Sequence, residues 1–196
     1  ERLAPYRLLL ERLLRDKPHT LSEREERLLA MQTEMAQTAS QTFRQLNDAD
    51  LTFGLVADDQ GRQIELTHAT FATLLHSPHR DVRRNAFHQF YRQYDAHRHT
   101  LTATLAGSIQ RDIFYARARG FASSLEASLF PDNVPAAVYE NLVASVRRRL
   151  PALHRYYEVR RRKMGLEAIH HYDTYVPILA ELETHRVWDE AVALVT

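Results

Sequence analysis

Apolar residues recur three and four positions apart along most of the chain, which is the pattern of amphipathic α-helices. We predict that a first helix ends before Pro18, because the residue before a proline is disfavoured in helical geometry. A second helix follows Ser22, which is spaced to form a capping box with Glu25, and it frays near Asn47. The apolar positions of these two helices, which we expect to face a packed core, are Leu3, Tyr6, Leu9, Leu10, Leu13, Leu14, Leu28, Met35, Ala39, Phe43 and Leu46.

The period changes at Leu51, where the segment LTFGLVADDQGRQIELT is divided by Asp59-Gln60-Gly61. This segment predicts two short strands joined by a tight turn. Because an isolated hairpin is marginally stable in water, we expect it to pack on helices. A short helix over 69–75 follows, with Thr67 as its cap.

The longest predicted helix begins at Ser77-Pro78, where the serine can cap the helix. The proline is tolerated at the first helical position, because a backbone N–H there would have no partner within the helix. It runs towards Gly120 as the spine of the fold, with Gly107 as a point of close packing. Its apolar positions are Val82, Ala86, Phe90, Tyr94, Leu101, Leu105, Ile109 and Ile113.

The last part of the chain predicts a short helix from Ser123 to Leu129 and a long helix from Pro135 towards Gly165. Pro151 should kink the long helix, because it removes one backbone hydrogen bond. Beyond it, the segment IHHYDTYVPIL is rich in β-branched and aromatic residues and is predicted to be extended. The apolar positions of the long helix are Val138, Leu142, Val146, Leu150, Leu153 and Tyr157. The fold class is therefore mostly α, a multi-helix region with long central helices and one small β-hairpin.

The composition is that of a soluble globular protein with one large domain or two small ones, since 44% of the 196 residues are hydrophobic and 26% are charged. The formal charge of +1 gives no whole-chain reason to expect nucleic acid or an acidic membrane as a partner. The absence of cysteine excludes disulfides, thiol nucleophiles and Cys-ligated metals from this sequence. Because the chain starts at Glu1 without Met and stops at Thr196 inside a helical run, we expect a fragment of a longer protein.

The 11 histidines do not have the spacing of a metal site. His97 and His99 point to different faces of the predicted helix, and Ser77-Pro78 separates His76 from His79. The motif H-E-x-x-H is absent, the 5 scattered glycines cannot build a phosphate loop, and no serine lies in G-x-S-x-G. We therefore assign no catalytic, cofactor-binding or metal-binding residue in this sequence.

One stretch, RRRLPALHRYYEVRRRK from Arg147 to Lys163, is strongly basic, with Glu158 as its single acid. Basic and aromatic side chains together can follow a phosphate backbone and stack on bases. A helical RNA-binding or protein-interaction module that uses this basic face is therefore the alternative to an enzyme. The interpretation that we favour is a solvated helix face balanced by Glu23, Glu25 and Glu26 or by acids of the final turns.

The segment from Asp112 to Ile178 closely resembles the oligoendopeptidase F family of zinc metallopeptidases. The resemblance rests on a combination of motifs: FYARAR before SSLEASLF, PDNVP as the loop, then LPALHRYYEVR and HYDTYVP. The upstream runs PYRLLLERLLRDKPHTLSEREERLLA and ADLTFGLVADDQGRQIELTHATFATLLHSPHRDVRRNAF resemble the N-terminal region of the family in unbroken order. The resemblance therefore covers essentially the whole sequence.

This resemblance implies a parent enzyme that hydrolyses internal bonds of short peptides with one zinc ion, held by the two histidines of H-E-x-x-H and a more distant glutamate. In the family these residues lie downstream of the position that matches Thr196, so the segment is expected to bind no zinc. It is expected to form a wall of the channel that admits oligopeptides. The implied partners are oligopeptide substrates and the C-terminal catalytic domain of the same chain, without nucleic acid or membrane, and the implied location is cytoplasmic.

The resemblance also suggests a domain division. Residues 1–120 would form an N-terminal helical domain with the hairpin near 51–66, and residues 121–196 a helical segment that leads into the missing catalytic domain. The polar and aromatic residues able to face the channel lie in HYDTYVP: His171, Tyr172, Asp173 and Tyr175. Because Asp173 can equally cap a turn or pair with an arginine, and the tyrosines can be core residues, we assign none of them a site role.

Overall fold

Helices form most of the structure, a computed structural model that describes residues 3–179, 187–188 and 192–193. An antiparallel β-hairpin accompanies them, which confirms the predicted mostly α class. Within this described part of the chain, none of the helices has the length and apolar character needed to cross a membrane. In chain order the elements are α1 (Arg7–Asp16), α2 (Glu23–Met31), α3 (Thr33–Ala36), α4 (Thr38–Gln45), β1 (Leu55–Ala57), β2 (Gln63–Glu65), α5 (His68–Leu74), α6 (Arg80–Ala96), α7 (Arg98–Ala118), α8 (Ser124–Leu129) and α9 (Ala136–Lys163).

The chain forms two compact units, and each of them is discontinuous in sequence. The first unit comprises Glu1–Thr52 and Tyr91–Leu150, and the second comprises Phe53–Phe90 and Pro151–Thr196. Helices α6 and α9 contribute residues to both units. The predicted boundary at residue 120 concerns the domains of the full-length protein and stays a prediction.

Three helix starts are fixed by caps, two of which, Ser22 and Thr67, were predicted. Ser22 Oγ accepts the Glu25 N–H at 3.4 Å, and the Glu25 carboxylate accepts the Ser22 N–H at 3.0 Å, which completes the capping box of α2. Thr67 caps α5, and Ser123 accepts the Glu126 N–H at 3.1 Å to cap α8. These signals involve residues within one helical turn and could therefore be predicted from the sequence.

The predicted spine helix begins two residues later than expected and is broken into two helices at His97. Ser77 Oγ accepts the His79 N–H at 3.0 Å, and α6 begins at Arg80 instead of Pro78. At His97 the backbone has φ −104° and ψ 15°, and the His97 N–H is shared between the carbonyls of Gln93 and Tyr94. This sharing tightens the turn, so the prediction of one helix from Pro78 to Gly120 is wrong at His97.

The second predicted helix is divided into α2, α3 and α4. The amides of Gln32 and Gln37 bond to the carbonyls of Leu29 and Glu34, each three residues back, at 3.2 Å. This tighter bonding ends each short helix before the next begins. The prediction of an uninterrupted helix is therefore wrong here, and the fraying expected near Asn47 is a π-helical turn over Leu46–Asp50.

Close packing in the first unit occurs between α4 and α7. A Cβ atom on Gly107 would lie 3.0 Å from the Ala39 Cβ, so the missing side chain lets the two helices approach. The prediction that Gly107 is a close-packing point is confirmed.

The hairpin of the second unit pairs Leu55 with Glu65 and Val56 with Ile64 in antiparallel register. Its turn is held by the Asp58 carboxylate, which accepts the N–H groups of Gln60 and Arg62 at 2.9 Å each. The strands lie within the predicted segment but are shorter than it.

Phe90 lies at the centre of an aromatic cluster in the second unit and is 5% exposed. Its ring stacks on Phe53 and Phe71, with centroids 4.3 and 4.0 Å away. Gln89 Nε2 donates to the carbonyls of Phe53 and Leu55 at 2.7 and 2.8 Å. The hairpin is thus fastened to α6, which confirms both the burial of Phe90 and the packing of the hairpin on helices.

Many predicted core positions of the first unit are instead exposed. Leu9 and Leu13 on α1 are 54% and 56% exposed, and Leu142 on α9 is 61% exposed. The other large apolar residues of this unit that are exposed on predicted stripes are Leu3, Tyr6, Leu10, Leu14, Leu28, Met35, Phe43, Leu105, Ile109, Val138 and Val146. Leu153, on the part of α9 that belongs to the second unit, is exposed as well. The expectation that these stripes face a packed core is wrong for the described chain, because helical periodicity defines an apolar face but supplies nothing to cover it.

Helix α9 continues through Pro151 to Lys163. Proline has no N–H, so the carbonyl one turn before it lacks its helical partner. The predicted kink at this residue stays a prediction.

Candidate functional site

The segment after α9 forms a tight turn in place of the predicted extended strand. A 3-10 turn over His171–Asp173 is closed by the Asp173 N–H, which donates to the His170 carbonyl at 2.9 Å. The Asp173 carboxylate in return accepts the His170 N–H at 3.0 Å. The extended prediction is therefore wrong at this turn, because an aspartate can bond the backbone three residues before it and favours a turn over a strand.

Asp173 is fully buried and is bound by two arginines of α6. Arg80 donates from Nε and Nη2 to the two carboxylate oxygens at 3.0 and 2.9 Å, and Arg83 donates from Nη2 at 3.0 Å. Arg83 is itself only 2% exposed. Burial alone would raise the pKa of Asp173, but the hydrogen bonds from Arg80, the His170 N–H and Arg83 outweigh it and hold that pKa below its ordinary value.

Arg83 and Arg160 also hold the backbone around this carboxylate. Arg83 donates to the carbonyls of Tyr172 at 2.9 Å and Ser77 at 2.7 Å. Arg160, which is 4% exposed, donates from Nη2 to the carbonyls of Asp173 at 3.1 Å and Val176 at 2.5 Å. We call the set of Arg80, Arg83, Arg160 and Asp173 the arginine clamp.

The four residues considered for the channel separate into two buried and two exposed side chains. Tyr172 is 4% exposed and Asp173 is fully buried, so neither faces open space in this unit, and the pairing of Asp173 with arginine is confirmed. His171 and Tyr175 are exposed, with ring centroids 5.5 Å apart. His76, which the sequence did not single out for this role, is exposed and stacks on Tyr175 at 6.0 Å. We call His76, His171 and Tyr175 the aromatic patch.

No metal centre is formed by the described residues, in which no group of three His, Asp or Glu side chains could hold an ion. His170 stacks on Tyr172 with centroids 5.1 Å apart, and Asp173 is bound by arginines. The residues present in this part of the chain do not fit a zinc site.

The basic stretch Arg147–Lys163 divides into an exposed half and a half bonded to Glu158 and to backbone carbonyls. Arg147 and Arg149 are exposed, whereas Arg161 and Arg162 bind Glu158 at 2.7 Å. These two guanidinium groups, Arg161 first, lower the pKa of Glu158 to about 2.

Two of the acids expected to balance this stretch, Glu25 and Glu26, are used elsewhere. Glu25 caps α2, and Glu26 binds Arg119 at 2.7 and 2.9 Å. The final turns lie largely outside the described residues. The expectation for Glu25 and Glu26 is wrong, and Glu158 with several backbone carbonyls takes their place.

A cleft of about 610 Å³ lies within the first unit and was not found from the sequence. The His19 ring stacks on Phe121 at 3.8 Å and contacts the Arg119 carbonyl through Nδ1 at 2.8 Å. Asp16 and Asp112 also line it. The cleft combines residues from distant segments, so no local sequence signal marks it.

Comparison with known families finds two matches that follow one another along the chain. The profile described as Oligopeptidase F matches residues 1–53, and the profile described as Peptidase family M3 matches residues 73–192. The second match covers more than half of the chain.

Individual relatives are similar over nearly the whole chain. The oligopeptidase PepF of Bacillus subtilis is 38% identical over 97% of this chain and 28% of its own length. The group B oligopeptidase PepB of Streptococcus agalactiae is 36% identical over 97% of this chain and 31% of its own length. The crystal structure of oligoendopeptidase-F from Enterococcus faecium superposes with a TM-score of 0.89 at 38% identity, covering 93% of this chain and 35% of that one. The chain thus spans about a third of the proteins it resembles.

Proposed function

Since this chain belongs to peptidase family M3, and within it to the oligoendopeptidase F group, we propose that it is the N-terminal part of a zinc metalloendopeptidase that hydrolyses internal bonds of short peptides. The observation that carries the proposal is the 38% identity to an oligopeptidase over 97% of the chain, with both family profiles in consecutive order. Because the chain spans about a third of such relatives, the activity is proposed for the full-length protein.

This segment contributes the wall of the substrate channel and not the reaction itself. Its described residues hold no metal-ligand cluster, and hydrolysis assisted by zinc requires ligands and a base. We place those groups in the C-terminal catalytic domain of the same chain, and we assign no catalytic, cofactor or metal role to any residue here. The cytoplasmic location stays a prediction.

The activity is tested by expressing the full-length protein and this 196-residue chain side by side. Quenched-fluorescence peptides of increasing length report hydrolysis, and elemental analysis reports zinc. We expect chelator-sensitive cleavage and about one zinc per chain for the full-length protein only. Chelator-sensitive turnover by the 196-residue chain would overturn the assignment of its role, and a full-length protein that cleaves no peptide would overturn the proposed activity.

The wall role is tested with Phe90→Ala in the full-length protein, because Phe90 is buried and lies outside any metal cluster. We expect near-normal zinc content, lower thermal stability and a larger loss of activity on long peptides than on the shortest cleavable ones. If a folded variant loses the same fraction of activity on peptides of every length, the proposed role of this segment in controlling access to the channel is contradicted. Loss of zinc would show that this segment supports the metal site directly.

The RNA-binding alternative is tested on the same samples. Genuine binding of a phosphate backbone weakens steeply with added salt. We expect no saturable binding of single-stranded RNA at physiological ionic strength, because Arg160, Arg161 and Arg162 are already bonded within the chain.

A further inference from the structure

Three exposed rings on the second unit are held together by contacts with one another. Tyr175 lies between His76, at 6.0 Å, and His171, at 5.5 Å, measured between ring centroids. The centroid of the His171 ring is also 5.5 Å from that of Phe87, which is half-buried. We propose that this aromatic patch binds the substrate oligopeptide at positions remote from the bond that is cleaved, an inference that rests on the proposed function.

The backbone that carries two of these rings is held by hydrogen bonds from buried arginine side chains. The arginine clamp bonds the carbonyls of Tyr172, Asp173 and Val176 and the Asp173 carboxylate. Desolvating charged groups is costly, and a hydrophobic anchor of similar size would hold the segment at lower cost. The clamp fixes residues 172–176 in one geometry, so His171 and Tyr175 project from a rigid support.

The side of the patch that bears His76 is fixed in the same way. Arg83 donates to the carbonyls of Ser77 and Pro78, which directly follow His76. Ser77 is buried, and its hydroxyl donates to the Asp59 carboxylate. Arg83 therefore supports both segments of the patch, although they are about a hundred residues apart in sequence.

The chemistry of the patch suits a peptide. A tyrosine hydroxyl and imidazole nitrogens can donate to peptide carbonyls and accept from peptide N–H groups, while the ring faces pack on side chains. Tyrosine also gives a large contact area at a low cost in conformational entropy, because it has few rotatable bonds. Such a surface can hold peptides of differing sequence, which fits relatives named oligopeptidases.

The test uses the full-length protein with His76→Ala, His171→Ala and Tyr175→Ala. Tyr139→Ala is the matched control, because Tyr139 and Tyr175 are both 45% exposed and Tyr139 lies on α9 of the first unit. Kinetics are measured on a peptide series in which residues are added on one side of the cleaved bond. We expect Tyr175→Ala to raise KM about tenfold for peptides long enough to reach the patch, with kcat and the KM of the shortest peptides little changed.

A second measurement reports proximity without depending on turnover. The photoreactive residue p-benzoylphenylalanine is placed at position 171 or, as the control, at position 139, and a fluorescent oligopeptide is added before irradiation. We expect labelling at position 171 that an excess of unlabelled peptide prevents, and none at position 139.

The outcomes separate the patch from the proposed function. If the full-length protein cleaves peptides but none of the three patch variants changes KM and position 171 is not labelled, the patch inference is overturned and the proposed function stands. If no peptide is cleaved, the proposed function fails, and the photolabelling alone tests whether the aromatic patch binds peptide. Selective labelling at position 171 supports peptide binding by the patch, and the absence of labelling overturns it. A Tyr175→Ala protein that does not fold is replaced by Tyr175→Phe, which is expected to raise KM less because it keeps the ring.

Discussion

The two units of this chain are built from similar amphipathic helices but differ in what covers their apolar faces. Phe90 in the second unit is 5% exposed and stacks on two other phenylalanines, whereas Leu142 in the first unit is 61% exposed, although both were predicted from the same helical spacing. The burial of ion pairs differs between the units in the same way. Asp173, which pairs with Arg83 in the second unit, is fully buried, whereas Asp95, which pairs with Arg98 in the first unit, is 72% exposed. Periodicity therefore predicts which face is apolar, and only the tertiary structure decides how much that face contributes to stability.

The largest expected effect is that of Phe90→Ala on the unfolding of the 196-residue chain. Removing a buried aromatic ring that stacks on both sides typically lowers the free energy of unfolding by ~3 to 5 kcal/mol. Leu142→Ala, the matched control, should change it by less than ~0.5 kcal/mol, as for other surface substitutions. Urea denaturation followed by circular dichroism measures both. Similar losses for the two variants would show that the contrast in burial carries no energetic weight.

The next largest effect is expected for Asp173→Asn. Replacing the carboxylate leaves Arg83 buried without a counter-charge, so the free energy of unfolding should fall by about 3 kcal/mol. Asp95→Asn removes an exposed pair with Arg98 and should change little. The same denaturation series compares them, and an Asp173→Asn variant as stable as Asp95→Asn would contradict the importance of the arginine clamp.

Acid should weaken the second unit through the same carboxylate. The pKa of Asp173 lies below its ordinary value of 3.8, so the folded state binds the proton less tightly than the unfolded state does. The stabilisation is therefore fully present above about pH 4 and is lost as the pH falls through the lowered native pKa. Hydrogen exchange of the residues around 170–176 against pH measures it, and Asp173→Asn should remove that dependence.

A smaller effect is expected in the first unit for Glu26→Gln. Arg119 hydrogen bonds hold the pKa of Glu26 below its ordinary value, with the Leu21 N–H adding to this. Because both side chains are about a third exposed, solvent screens the pair, and the midpoint of denaturation should fall less than for Asp173→Asn. Glu11→Gln, which removes a 3.6 Å contact between exposed side chains on α1, is the control and should have no measurable effect.

The features that could be predicted from the sequence are those set within one or two turns of chain. The Ser22–Glu25 capping box, the Thr67 cap and the Asp59-Gln60-Gly61 turn each depend on neighbours at most four residues apart. The break at His97 is also local, but no proline or glycine marks it, since it arises from shared bonds to Gln93 and Tyr94.

The candidate site depends instead on contacts between distant residues. Arg80 and Arg83 reach Asp173 across 93 and 90 positions, and nothing in the spacing of the sequence identifies those partners. Asp173 could be predicted to pair with an arginine, but the identity of that arginine could not. His76 was missed for the same reason, because it joins Tyr175 only in the folded chain.

The 90-residue separation between Arg83 and Asp173 means that the two partners are synthesised several seconds apart. At roughly 5 to 20 residues per second, a ribosome adds those residues in about 5 to 18 seconds, and domains fold as their last segment emerges. Helix α6 therefore leaves the ribosome well before its carboxylate partner does, with Arg83 still hydrated. The arginine clamp can close only after the HYD turn has been made, so a translational pause within α9 would prolong the time that Arg80 and Arg83 spend without their carboxylate partner.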